Sequence, residues 1–95
     1  MQRDVVLTLS PDVMVRELQG ESVVLDLSSG RYFGLNAVGT RVWQLIQAGQ
    51  PVDGLIRAVT AEYDADGDAV ERDVLALLED LKARGLVVEL PGERP

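Results

Sequence analysis

The sequence predicts a single α+β domain, with a small antiparallel sheet first and three helices after it. Two observations carry this reading. Short β-branched and apolar runs punctuated by Gly, Ser and Pro fill roughly the first third of the chain, and the apolar spacing then lengthens from alternation to the helical repeat. Strand-like and helix-like segments are also segregated rather than interleaved, which is the pattern of α+β folds.

Taken in order, Val5-Val6-Leu7-Thr8-Leu9 is a short apolar strand, stopped by Ser10-Pro11-Asp12. Val13 to Leu18 reads as a further strand, closed by the turn-like Gln19-Gly20-Glu21. Ser22-Val23-Val24-Leu25-Asp26-Leu27 is β-branched and apolar, and Arg31-Tyr32-Phe33-Gly34-Leu35 is its return strand. Ser28-Ser29-Gly30 joins the two as a hairpin over 22–35, with Gly30 free to adopt a positive φ.

Asn36 is placed to cap a first helix running to about Ala48, whose Val38, Val42, Leu45 and Ile46 share one face beside Trp43. Gly49 ends it. Pro51 opens a second helix, where its missing N–H is not needed, and Val52, Leu55, Ile56, Val59 and Tyr63 make its apolar stripe. Asp68 and Glu71 have the spacing of an acidic capping box for a third helix lined by Val70, Val74, Leu77, Leu78 and Leu81. Lys82 and Arg84 suit the negative end of its dipole, and Gly85 stops it. Leu86 to Leu90 adds a final short strand. Residues 1–95 thus form one domain, with 1–4 and 91–95 expected to fray.

Composition narrows the function. The chain contains no Cys and no His, which removes thiolate and imidazole chemistry. A domain of this size has little room for a catalytic pocket, so an enzyme is not expected. Asp64, Asp66 and Asp68 suggest a calcium loop, but Ala69 and Leu75 stand where an EF-hand needs its Gly and its bidentate Glu. Glycines 30, 34 and 39 precede no Gly-Lys-Ser/Thr, so no phosphate loop is present, and Trp43 reads as core. No cofactor is implied. The net charge is −7, with no basic stripe on the second or third helix, so nucleic acid and anionic membranes are not expected partners. No apolar run approaches the ~20 residues of a membrane span. The N-terminal Met1-Gln2-Arg3-Asp4 lacks a secretory signal's apolar core, which points to the cytoplasm.

The remaining class is binding. A small sheet has edges, and an edge accepts a foreign strand through its main-chain hydrogen bonds. The strand 31–35 and an apolar-rich third helix could frame a groove for such a strand. The same residues could equally fill the core, and the physics of the sequence leaves both readings open.

The ordered set Val24-Leu25-Asp26-Leu27-Ser28-Ser29-Gly30-Arg31-Tyr32-Phe33-Gly34-Leu35-Asn36, then Gly39, Trp43 and Gly49, then Asp73-Val74, Leu77-Leu78, Leu81 and Gly85-Leu86 resembles PqqD-like proteins over about residues 5–90. The resemblance implies a RiPP recognition element. Such domains are winged helix-turn-helix-like, with a three-stranded sheet and three helices. They bind the leader segment of a ribosomally made precursor peptide as an added strand on the third strand of the sheet, against the third helix. Carried onto this chain, the elements are 31–35 and 69–84, and the peptide-binding residues implied are Tyr32, Phe33, Gly34, Leu35, Val70, Asp73, Val74 and Leu77. Ser28-Ser29-Gly30 followed by Arg31-Tyr32-Phe33 looks more like the free-standing leader-binding proteins of lasso-peptide pathways than like the pyrroloquinoline quinone member. The lasso proteins act with a leader peptidase and a macrolactam synthetase. The alternatives are a peptide chaperone for the quinone cofactor and, from a different class, a winged-helix DNA-binding regulator.

Overall fold

A computed structural model of the chain describes residues 2–64 and 66–90. Five strands and three helices follow in the order β1 (Leu7–Leu9), β2 (Val13–Leu18), β3 (Glu21–Asp26), β4 (Arg31–Leu35), α1 (Ala37–Gln47), α2 (Val52–Tyr63), α3 (Gly67–Ala83) and β5 (Val87–Glu89). The expected α+β architecture is present, and it is built on two sheets. β2, β3 and β4 form an antiparallel sheet in that order, and β1 pairs with β5 in a separate two-stranded ribbon.

Both hairpins of the larger sheet follow from their turn residues. Gln19 and Gly20 both have positive φ, at 55° and 83°, the geometry of a two-residue turn whose twist matches that of its strands. It sets Leu18 opposite Glu21. At the second hairpin, Gly30 has φ 74° and donates to the Asp26 carbonyl at 2.8 Å. The Asp26 carboxylate accepts from the Ser28 and Ser29 hydroxyls, each at 2.8 Å, and from the Ser28 amide. Those hydroxyl bonds hold Asp26 below the usual carboxylate range.

Asn36 caps α1, its Oδ1 accepting from the Gly39 amide at 2.9 Å, and Gly49 leaves the helix with φ 84°. Pro51 stands at the N-cap of α2, one residue before the helix, and forms a β-bridge with Val6. The expected Asp68–Glu71 capping box does not form. Asp66 is the N-cap of α3 and makes no side-chain cap bond, Asp68 already lies in the first turn, and Glu71 pairs with Arg3. A partner distant in sequence therefore takes the carboxylate that the local pattern assigns to the cap. Residues 91–95, expected to fray, lie outside the described residues.

The helices pack over the inner face of the sheet around one core. Trp43, Val24, Val42, Leu55, Leu78 and Leu86 are among its most buried members. Leu7 and Val87 bring the β1–β5 ribbon into the same core. Beneath the β4–α1 corner the buried Ser22 and Thr40 hydroxyls share a 2.8 Å hydrogen bond. That bond pins the start of α1 to β3 and gives each hydroxyl the partner that burial demands.

Candidate functional site

Strand alternation divides β4 between two faces. Phe33 and Leu35 point inward, half-buried and buried, while Tyr32 and Gly34 are exposed on the outer face. The cross-strand partners agree: Phe33 faces the buried Val24, whereas Gly34 faces the exposed Val23. β4 pairs with β3 on one side only, so its other edge carries no partner strand among the described residues.

Beside that edge lies an open groove of about 550 Å³. Gly34 and Leu35 reach it from β4, Val38 and Val42 from α1, Val59 and Tyr63 from α2, and Val70, Asp73, Val74 and Leu77 from α3. Its walls are mostly apolar. Asp73 is the one acidic group among the lining residues. Val70 and Val74 are also core residues, so their inner sides hold the helix down while their edges form the groove wall. Leu77 is half-buried and Tyr63 is exposed, the surface state expected of groove residues still without a neighbour.

Six of the residues that the sequence points to therefore converge here: Gly34, Leu35, Val70, Asp73, Val74 and Leu77. Tyr32 and Phe33 do not line the groove. Tyr32 is 73% exposed on the outer face of the sheet. Phe33 packs beneath the Arg84 guanidinium, 4.5 Å from its ring centroid, and so ties β4 to the end of α3. The sequence reading missed Val38, Val42, Val59 and Tyr63. Each belongs to an apolar helical stripe, and such a stripe looks alike whether its last residue is buried or stands at a groove.

Four cations of these helices and their ends are engaged with acids. Arg41 holds Glu62 through two bonds of 2.8 and 2.9 Å, which keeps the carboxylate below its usual range and the guanidinium above its own. Arg57 pairs with Asp53, Lys82 with Glu89, and Arg84 with Asp80. Among the described residues no group of three or more His, Cys, Asp or Glu could hold a metal, and no helix is long and apolar enough to cross a membrane.

The sequence and the fold both have counterparts among known proteins. The sequence matches the family described as Coenzyme PQQ synthesis protein D (PqqD) across residues 21–87. The chain belongs to the PqqD family. Membership places it among non-catalytic domains. Two relatives are PqqA binding proteins of Rhodopseudomonas palustris. That of strain ATCC BAA-98 / CGA009 is 32% identical over 69 residues, 73% of this chain and 68% of the relative. That of strain TIE-1 is 29% identical over the same shares. Among solved structures, TbiB1 in complex with the TbiA(beta) leader peptide superposes with a TM-score of 0.82 and 35% identity, covering 90% of this chain and 99% of that one. Lasso peptide synthetase B1 complexed with the leader peptide gives 0.79 and 29%, over 87% and 98%. The PqqD-family fold of this chain is thus of the kind found in lasso-peptide leader-binding proteins.

Proposed function

We propose that this PqqD-family domain binds the leader of a ribosomally made precursor peptide as an added strand on β4 and presents it to the leader peptidase and macrolactam synthetase of a lasso-peptide pathway. The observation that carries this reading is the unpaired β4 edge lying against the apolar groove of α3. Main-chain hydrogen bonds along the edge would set register, and apolar side chains entering the groove would supply affinity. Val70, Val74 and Leu77 form the wall that receives those anchors, and Asp73 stands where a leader cation or donor would meet it. Phe33 acts through its hold on Arg84 rather than by contact, and Tyr32 flanks the strand from the outer face. The two leader-bound structures support the lasso assignment, since their likeness extends over nearly the whole chain. The PqqA binding proteins support the second reading, a chaperone for a quinone-cofactor precursor. A DNA-binding role gains nothing from helices that carry no basic stripe.

Fluorescence anisotropy with a labelled TbiA(beta) leader, a PqqA peptide and a DNA duplex separates the three. Saturable binding to the lasso leader alone is expected. Leu77→Ala and Asp73→Asn should each weaken it by about tenfold, near 1.4 kcal/mol, with little change in melting temperature. Affinity that falls only in step with stability would remove both residues from the site. Preference for the PqqA peptide would reassign the pathway.

A further inference from the structure

Among the described residues, Ser22 and Thr40 alone carry hydroxyls into the core, at 4% and 3% exposure. A buried hydroxyl is costly without a partner, and a bonded pair contributes little more to stability than apolar groups that replace both. What the pair adds is direction. A hydrogen bond fixes a length and an angle, whereas apolar burial is indifferent to both.

Their place in the fold gives that direction a use. Ser22 and Leu35 stand opposite one another on the last rung of the β3–β4 hairpin. Thr40, one turn into α1, reaches across that rung. Its hydroxyl donates to the Leu35 carbonyl at 3.4 Å, which leaves Ser22 as the donor of the 2.8 Å bond between the two hydroxyls. The Thr40 amide donates to the Asn36 carbonyl at 2.8 Å. The seat is close: a Cβ at Gly39 would stand 3.3 Å from the Leu35 side chain, tighter than ordinary contact.

The groove opens on this joint. Leu35 and Asn36 line it from the end of β4, and Val38, Gly39 and Val42 line it from α1. Thr40 lies between the latter in sequence and is not itself a lining residue. A small turn or slide of α1 against β4 would carry Val38 and Val42 with it and change the space beside the free edge.

We infer that Thr40 is a positioning residue for peptide binding: its hydroxyl, bonded to Ser22 and to the Leu35 carbonyl, sets α1 against the end of β4 and so fixes the α1 wall of the groove. The inference rests on strand addition to β4. It adds that this polar joint serves affinity rather than stability, so the two properties should separate when it is altered.

The test compares wild type with Thr40→Ser, which keeps the hydroxyl and loses a methyl, and with Ser22→Ala/Thr40→Val, which removes both hydroxyls and keeps the bulk at Thr40. Each is melted and titrated with whichever of the TbiA(beta) leader and the PqqA peptide wild type binds. Thr40→Ser is expected to melt lower yet bind like wild type per folded molecule. The double variant is expected to melt within a few degrees of wild type or above it, yet bind about tenfold more weakly. In the free proteins, nuclear Overhauser contacts between the Gly39 α-protons and the Leu35 methyls should weaken in the double variant and persist in Thr40→Ser. Affinity that simply follows melting temperature, or unchanged affinity in the double variant, would overturn the inference and leave strand addition standing. Unchanged Gly39–Leu35 contacts in the double variant would overturn it whatever the peptide result. A folded wild type that binds neither peptide would overturn strand addition as well.

Discussion

Asp26 shows how one side chain holds a turn through its charge. Its carboxylate gathers two hydroxyls and an amide from Ser28 and Ser29. Bonds to the ionised form lower its pKa in the folded chain. A group with a lower folded than unfolded pKa stabilises the fold above the unfolded value, and that contribution disappears as pH falls through the folded value. Glu62, held by Arg41, acts in the same direction. Asp26→Asn should therefore melt below wild type at neutral pH, with the gap closing as pH falls through and below the ordinary carboxylate range. Thermal melts of both proteins across that range check it, and a gap that persists in acid would show that shape rather than charge matters at the turn. The sequence marked this turn through Ser28, Ser29 and Gly30. It gave no sign of the phase of β4, because aromatics occupy both parities of a five-residue strand, and only the pairing with β3 sends Phe33 inward and Tyr32 outward.

At the scale of elements, α3 meets β4 at two places with different tasks. Near Leu35 the two leave the groove open, and near Phe33 the Arg84 contact ties them together. Removing that tie with Arg84→Ala should lower stability by about 0.5–1 kcal/mol, the usual size of an exposed cation–π contact. It should also speed peptide dissociation. Urea denaturation and stopped-flow release of a bound leader measure the two effects, and unchanged dissociation would limit Arg84 to stability. Helix positions and the strand order of the hairpins were legible because each rests on neighbours in sequence: Asn36 with Gly39, Gln19 with Gly20, Gly30 with Asp26. The acidic cap of α3 was misread for the complementary reason. Glu71 answers to Arg3, sixty-eight residues away, and no local pattern records such a pair.

The whole molecule depends on a pairing that the sequence does not announce. Both β1 and β5 were readable as short apolar strands, but their mutual pairing joins the two ends of the domain and has no local signature. Leu7, 2% exposed, carries that ribbon into the core and lines no part of the groove. Leu7→Ala should cost about 2–5 kcal/mol, a large share of the stability of a domain this small. Peptide affinity per folded molecule should stay unchanged. Chemical denaturation and a titration corrected for the folded fraction test both statements, and affinity lost beyond the unfolded fraction would show that the ribbon shapes the groove.

The antiparallel register of that ribbon sets Leu7 beside Glu89. The chain therefore enters β1 and leaves β5 at neighbouring points of the ribbon. The ribbon accordingly works as a clasp: the first and last strands close on each other, and neither contributes a residue to the groove.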